Sequence, residues 1–530
     1  MGLTITASTN SGRAMLSLIR KLYRTKLLTP MGLFYLLEAL LTTGMNLMAL
    51  LRLAAQLHPE RLAVIDEHDH YSYRQLWQQA EALAMTLQSE YGIQQQQNIA
   101  VACRNHAACI KAIFAGSRLG AHIYLLNPEM SPNQIQATLD RLAIDFYIYD
   151  HPPDQPFPPW LEVAVQQRQA LPAYHATASA IDQLPLSPEV VNRHLKPVKT
   201  GNIIVMTGGT TGTPKPASRK PSMVKFLPPF IALLEQVHLD RYRSLYIATP
   251  IYHGFGLAAL LIGIVLGVEL YVTSRFQTEQ ACSLIASHQI EVVTLVPLML
   301  QRMLRDNPAT LSALKCILTG GAALSPVLAQ DTLAQLGPIL FNLYGTSEAG
   351  FCILGTSRIL RKNPASIGQP VGGVQVKIVR DGSQEHSNKY GNNQIGRLCI
   401  RSAWSTAANS WIETGDLAYQ DTEGNIFLCG RVDDMIVSGG ENVYPIDLET
   451  ILSQHPDIEA AVVLGIPDPE FGQRLKAVVV TKQPTMLSED LLRVWLRPRV
   501  ARYQMPAVIE FHRELPYTAL GKLDRKSLRE

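Results

Sequence analysis

Charge is scarce in these 530 residues, where Asp, Glu, Lys and Arg together make up 17% against ~25% in an average soluble protein. What charge there is nearly cancels: 47 basic side chains face 44 acidic ones, for a net +3. Nucleic acid, which calls for a basic face, is therefore not expected as a partner. Cys-x-x-Cys pairs are missing too. The seven cysteines (Cys103, Cys109, Cys282, Cys316, Cys352, Cys399, Cys429) are scattered, which excludes a disulfide frame or a zinc knuckle and suits a reducing cytoplasm. No acidic residue precedes Glu38, whereas Arg13, Arg20, Lys21, Arg24 and Lys26 do. Nor is there an unbroken spanning run: Leu27–Leu53 is apolar but interrupted by Glu38, Thr42, Thr43, Asn46 and Arg52, which a lone transmembrane helix tolerates poorly. No small-x-small cleavage site follows it, so a signal peptide fits less well than a surface-lying helix. Residues 1–55 are thus expected as a basic, apolar segment, packed on the protein or lying peripherally on the inner membrane face.

What is abundant is apolar surface, 47% of residues, enough for a large core and an apolar ligand. From about Pro59 to Tyr149 short apolar runs alternate with longer helical stretches: Asn98–Val101, Ala107–Gly120, Ile123–Leu126, Pro132–Leu142. That rhythm reads as βαβ and hence a parallel sheet. The proline-rich His151–Pro159 opens a stretch, to about Lys199, that reads as irregular. The alternation then returns, with strands expected at Ile203–Met206, Leu245–Ala248, Glu269–Tyr271, Val292–Val296 and Ile317–Leu318. The charged stretch Arg431-Val432-Asp433-Asp434 sets off the last hundred or so residues. The expected division is 1–55, a large domain 56–429, and a C-terminal domain 430–530. Asp66-Glu67-His68-Asp69-His70 has the residue types of a metal cluster but sits in a polar turn, and reads as a hairpin.

The segment most telling of chemistry is Met206-Thr207-Gly208-Gly209-Thr210-Thr211-Gly212-Thr213-Pro214-Lys215, directly after an apolar strand. Its glycines let backbone N–H groups converge on an anion, its threonines add hydroxyl donors, and Lys215 adds a point charge. It is not a Walker loop, since Pro214 stands where that pattern needs glycine.

The order of these residues resembles the phosphate loop of the adenylate-forming superfamily, which includes acyl-CoA synthetases, firefly luciferase and the adenylation domains of peptide synthetases. Further segments follow in the family's order. Pro250-Ile251-Tyr252-His253-Gly254-Phe255-Gly256 is similar to the aromatic gate of the acyl pocket, and Thr319-Gly320-Gly321-Ala322-Ala323-Leu324 to the segment beneath the adenine. Tyr344-Gly345-Thr346-Ser347-Glu348 resembles the stretch where the tyrosine stacks on adenine and the glutamate holds magnesium. Trp411-Ile412-Glu413-Thr414-Gly415-Asp416 resembles the ribose turn, with Asp416 on the hydroxyls. In Gly430-Arg431-Val432-Asp433-Asp434 the resemblance implies a nucleotide-reaching Arg431 and a hinge at Asp433. Pro516-Tyr517-Thr518-Ala519-Leu520-Gly521-Lys522 matches the turn with the catalytic lysine, and Gly439-Gly440 is placed at the pantetheine tunnel. Singly these residues have ordinary readings: His253 in a core, Glu348 on a surface, Lys522 in a tail. Together, from about Pro59 to the end, they imply an α/β fold in which a large domain of several parallel-rich sheets precedes a small mobile α+β domain.

The implied activity is ATP-dependent activation of a carboxylic acid to an acyl-adenylate with release of pyrophosphate, then transfer to a thiol. ATP, Mg2+ and coenzyme A are the implied cofactors. A carboxylate is already ionised at neutral pH, so no general base is required. The apolar Gly256–Gly267 and the low overall charge point to a fatty acid, and the resemblance implies coenzyme A as the acceptor. Two alternatives stay open: an acyl-AMP ligase loading an acyl carrier protein, and a weakly catalytic nucleotide-binding scaffold. The latter is motivated by two departures. The family has Ser or Thr where this chain has Gly208, removing a hydroxyl donor, and glycine where this chain has Pro216, which stiffens the loop exit and removes an N–H.

Overall fold

A computed structural model describes residues 18–150, 158–174, 180–183, 195–207, 215–219, 222–380, 395–438, 441–469, 471–482, 487–518, 523–525 and 527–528. The chain forms two compact units, one of residues 1–295 with 309–317, the other of 296–308 with 318–530.

In the first unit the apolar N-terminal stretch is two helices, Pro30–Thr43 (α1) and Leu47–Leu57 (α2), where one was expected. Each has its own cap: Thr29 Oγ1 accepts the Gly32 N–H at 3.0 Å and Asn46 Oδ1 that of Ala49 at 3.3 Å. Between them Gly44, at φ 89°, turns the chain, a conformation few side chains allow. None of the described helices is long and apolar enough to cross a membrane. Leu62–Ile65 (β1) and His70–Ser72 (β2) form the expected hairpin. Asp66 Oδ1 ties its turn by accepting the N–H groups of His68 and Asp69.

Tyr73–Ser89 (α3) starts at a capping box in which Ser72 and Gln75 satisfy each other's backbone N–H. The βαβ rhythm follows as Asn98–Ala102 (β3), Ala107–Arg118 (α4), His122–Leu125 (β4), Pro132–Arg141 (α5) and Phe146–Tyr149 (β5), with β3 parallel to β4 and β5. The stretch expected to be irregular holds a helix, Pro159–Gln166, and a strand, Ala170–Pro172 (β6), parallel to β5. Its prolines open the helix, because Pro at the first helical position loses only an N–H that had no partner. Ile203–Thr207 (β7) and Lys215–Arg219 (β8) complete a six-stranded sheet in the order β6-β5-β3-β4-β7-β8. Ser244–Ile247 (β9), Gly254–Leu266 (α6), Glu269–Val272 (β10) and Val292–Leu295 (β11) follow. Strands β11, β9, β10 and β1 lie parallel in that order, and antiparallel β2 closes that edge. All five strands expected from Ile203 to Leu318 are present, with ends shifted by a residue or two.

Strand Cys316–Gly320 (β12) carries the chain into the second unit. There Leu340–Thr346 (β13), Gly350–Gly355 (β14), Ser366–Pro370 (β15), Gln375–Val379 (β16), Gly396–Arg401 (β17), Ile412–Gln420 (β18) and Ile426–Arg431 (β19) pair antiparallel in the order β13-β14-β15-β19-β18-β17-β16. Ile436–Ser438 (β20), Glu441–Val443 (β21), Ile458–Asp468 (β22), Gly472–Thr481 (β23) and Val508–His512 (β24) make a separate five-stranded sheet. Its long hairpin alternates faces as strand geometry requires. Val463, Leu475, Ala477 and Val479 pack under Leu448, Leu452, Leu492 and Leu496, while Val462, Leu464, Val478 and Val480 pack against Leu515 and Leu528. All seven cysteines are buried and unbridged.

Candidate active site

In the second unit three of the expected nucleotide residues meet, and the register of β18 and β19 is what joins them. Asp416 and Arg431 are cross-strand partners, so their side chains start opposite each other. Arg431 Nη1 donates to Asp416 Oδ1 at 3.1 Å, and the Tyr344 hydroxyl donates to the other carboxylate oxygen, Oδ2, at 2.5 Å. Gly415, at φ 77°, has the Arg431 guanidinium only 2.7 Å from where a Cβ would stand. The turn is further fixed by Thr414, whose Oγ1 accepts the Asp416 N–H at 3.1 Å and donates to Leu398 O at 3.0 Å. Burial first, then the Asp416 charge, push the Tyr344 phenol well above its usual range. It therefore stays protonated and holds the carboxylate as a donor, leaving its ring as a flat wall.

Tyr344 leads into the β13–β14 hairpin. Tyr344 pairs with Ile353 and Thr346 with Gly350, and a Cβ on Gly345 would lie 2.1 Å from Gly350 O. Thr346 Oγ1 accepts the Ala349 N–H at 3.0 Å, and Thr406 N donates to Glu348 O at 2.8 Å. Those two bonds fix the backbone while Ser347 and Glu348 stay exposed at the tip. An exposed carboxylate on a fixed backbone is a hard oxygen donor of the kind magnesium takes. The Thr319–Leu324 segment begins at the end of β12. Gly320 lies so close to Leu343 O that a Cβ would stand 2.6 Å from it, while the exposed Gly321, at φ 78°, and the half-buried Ala322 form the turn beyond. Asp433 is exposed in the single 3-10 turn Val432–Asp434 directly after β19.

In the first unit the Pro250–Gly256 segment turns from β9 into α6. His253 occupies the N-cap position of α6, half-buried, with its ring centroid 4.4 Å from that of Tyr252. Burial, with Glu129 adding to it, pushes the Tyr252 phenol up to about 12. The residue that holds this turn was not among those expected. Asn105 is buried, donates through Nδ2 to Thr249 O at 3.0 Å and to Ile247 O at 3.3 Å, and accepts the Ile251 N–H at 2.7 Å. Its signal in the sequence is only a polar residue between a strand and a helix cap, which says nothing of where the amide points.

Thr207 ends β7 and pairs with Lys215 at the start of β8, so the phosphate segment is the connection between two antiparallel strands. Gly208, Gly209, Thr210, Thr211 and Gly212 lie outside the described residues, as do Gly439, Gly440 and Lys522.

A family match covers residues 51–408, described as AMP-binding enzyme, and a second covers residues 447–522, the AMP-binding enzyme C-terminal domain. The chain belongs to the AMP-binding enzyme family. Among curated relatives, the 2-succinylbenzoate–CoA ligase of Staphylococcus aureus is 28% identical over 498 residues, covering 89% of this chain and 98% of that protein. The ligase of the same name from Bacillus subtilis is 27% identical over 491 residues, 90% and 96% of the two chains. Among solved structures the fold is shared with the o-succinylbenzoate CoA synthetase of Bacillus subtilis carrying its acyl-adenylate (TM-score 0.75, 24% identity, 91% and 98% coverage). It is shared equally with an amide bond synthetase from Marinactinospora thermotolerans (TM-score 0.75, 24% identity, 91% and 99% coverage).

One further group in this AMP-binding enzyme has a metal-like composition. Cys103, His106 and Asp150 place their ligand atoms within 4.8 Å of one another. Both His106 nitrogens are already used: Nδ1 accepts the Cys109 N–H at 3.1 Å, so Nε2 is the protonated nitrogen that bonds Asp150 at 2.8 Å. Burial raises the Asp150 carboxyl, but His106 and the Arg104 N–H outweigh it and hold it low. The group is a buried clamp for the start of α4.

Proposed function

We propose that this chain is an acid–thiol ligase: it joins a carboxylic acid to AMP, releasing pyrophosphate, and transfers the acyl group to coenzyme A. The observation that supports it most is the interlocked Tyr344, Asp416 and Arg431, in a chain of this family whose curated relatives are CoA ligases. In this reading Asp416, oriented from two sides, takes the ribose hydroxyls, and the Tyr344 ring stacks on adenine. Glu348, with Thr207, would hold magnesium, whose chemistry is to neutralise phosphate charge. Lys215 and the loop Gly208–Gly212 cradle the phosphates. Lys522 bridges the carboxylate and the α-phosphate, a preorganised charge of a kind worth ~3 to 4 kcal/mol in the transition state. The carboxylate oxygen attacks the α-phosphorus and pyrophosphate leaves; a thiol then attacks the acyl carbon of the mixed anhydride and AMP leaves. We propose that residues 430–530 swivel about Asp433 between the two steps, withdrawing Lys522 and bringing in Gly439 and Gly440.

The acid is read as having an apolar body. The wholly apolar α6 after the gate supports a fatty acid, and the names of the relatives support an aromatic one such as 2-succinylbenzoate. We place the enzyme in the cytoplasm, where ATP and coenzyme A are. Pyrophosphate release over a panel of aliphatic and aromatic acids, with and without coenzyme A, tests acid and acceptor together. Release without thioester would favour a carrier protein as acceptor, and no release with any acid would sink the ligase reading. Within that assay Lys522→Ala is expected to slow adenylate formation 10² to 10³-fold while purified acyl-adenylate is still converted to thioester, and Gly440→Leu to do the reverse.

A further inference from the structure

The first helices leave an apolar stripe in water that nothing in the ligase reading uses. Met31, Phe34, Leu37, Leu41 and Met45 are 56% to 69% exposed. The first four, spaced by three or four residues, form one face of α1, and Met45 follows just past its end, beyond Gly44. The opposite face is seated on the protein, with Gly32, Ala39 and Thr43 buried. A row of four large side chains with a fifth beside it goes well beyond the scattered exposed apolar residues normal on a monomer.

The one acidic residue on α1 is paired with side chains of α2. Glu38 accepts from Arg52 and, at 2.7 Å, from Gln56 Nε2, and Arg52 holds its carboxyl below the usual range. Arg20 and Lys26, just ahead of the stripe, are exposed. Arg24 is paired with Asp240, and Lys21 is anchored on Leu234 O at 2.6 Å. The stripe therefore has a cationic border and no free acid on its helix. A helix of 14 residues is about 21 Å long, too short for the ~30 Å hydrocarbon layer but suited to lying in its surface. The segment also precedes the part of this chain that the family match covers. The family match begins at residue 51, and relatives covered over 98% of their length pair with only 89% to 91% of this chain.

We infer that the outer face of α1 seats this chain on an anionic lipid bilayer, with Phe34, Leu37 and Leu41 in the acyl boundary and Arg20 and Lys26 among the headgroups. A second copy fits less well. A two-fold contact sets a patch against itself and would bring the cationic borders together, whereas an anionic surface satisfies stripe and border at once. The inference does not rest on the ligase reading, and its test does not use turnover as the readout.

The full chain should float with phosphatidylglycerol-containing vesicles and at least tenfold less with phosphatidylcholine alone. Phe34→Glu with Leu37→Glu and Leu41→Glu should lower flotation at least tenfold, with the melting temperature and any pyrophosphate release unchanged. The milder Phe34→Ser with Leu37→Ser should lower it by a smaller factor, and Arg20→Glu with Lys26→Glu should abolish the preference for anionic lipid. The inference is overturned if the parent does not float or if the triple variant floats equally well. It is also overturned if the parent is a dimer that the triple variant converts to monomer without either binding vesicles, since a second copy would then be the occupant. A non-floating parent whose triple variant melts much lower overturns it as well, since the stripe would then be covered within the protein itself.

Discussion

Helices α1 and α6 are 14 and 13 residues long and carry one charged side chain between them, yet one faces water with its largest residues and the other sits in a core. In α6, Leu257, Leu260, Ile264 and Leu266 are buried. Glycines allow that depth: a Cβ on Gly256 would lie 2.2 Å from Pro250 O, and one on Gly263 would lie 2.4 Å from Leu270. At its far end Gly267, in the left-handed region at φ 65°, packs against the His58 ring, and Tyr73 donates to Val268 O at 2.6 Å. In α1 only the Gly32, Ala39, Thr43 side finds protein. The comparison teaches that apolar content alone does not decide burial. What decides it is whether neighbours offer close backbone approach and partners for the polar groups at the helix ends.

The sharpest break of that comparison is Asn105→Ala, which removes the amide holding the turn into α6. Three buried backbone groups would lose their partner, at a cost of about 2 to 5 kcal/mol. Thermal melting should show it, together with a loss in use of the acid that exceeds any loss in apparent affinity for ATP. Gly256→Ala comes next. Its methyl must displace the Pro250 carbonyl, and overpacking of about 1 to 3 kcal/mol outweighs the roughly 0.5 to 1 kcal/mol that Ala gains over Gly in a helix. A melting temperature equal to that of the parent would show that the turn gives way freely.

A smaller effect sits where α6 ends. Burial first, then Arg61 and Lys26, lower the His58 pKa to about 4. An unfolded chain takes up this proton near pH 6.5, whereas the folded one resists until about pH 4, so the unfolded state binds more protons between those values. The contribution is therefore whole above pH 6.5 and is lost as pH falls toward 4. Melting between pH 7 and pH 4.5 should decline by a few degrees less in His58→Gln than in the parent; parallel curves would remove His58 as a cause. Smallest of all, Leu41→Ser on the water-facing side of α1 should change stability by no more than about 0.5 kcal/mol. A larger loss would mean that the stripe is covered.

The βαβ rhythm was legible because apolar periodicity records burial directly, and the capping pairs Ser72 with Gln75 and Ser131 with Gln134 mark helix starts as their spacing suggests. The candidate site was legible as strings of residues, not as an arrangement. Nothing in Thr414-Gly415-Asp416 or Gly430-Arg431 says that β18 and β19 run antiparallel in the register that sets Asp416 against Arg431. The N-terminal segment was misread as one helix although Thr29 and Asn46 both stood at cap positions; the long apolar run outweighed them. Glu38 and Arg52, counted as interruptions, turn out to satisfy each other across the two helices. Asn105 was out of reach, since its role depends on three carbonyl and amide groups some 140 residues away.

The burial of every cysteine makes the chain a carrier of its own clock. Cys103, Cys109, Cys282 and Cys316 belong to the first unit and Cys352, Cys399 and Cys429 to the second. Burial raises the Cys103 and Cys316 thiols well above their usual range, so an alkylating reagent finds little thiolate until the surrounding structure opens. The rate at which each sulfur is capped then counts opening events in its own neighbourhood, and mass spectrometry of the seven peptides would time the two units separately in one tube, with no label added to the protein.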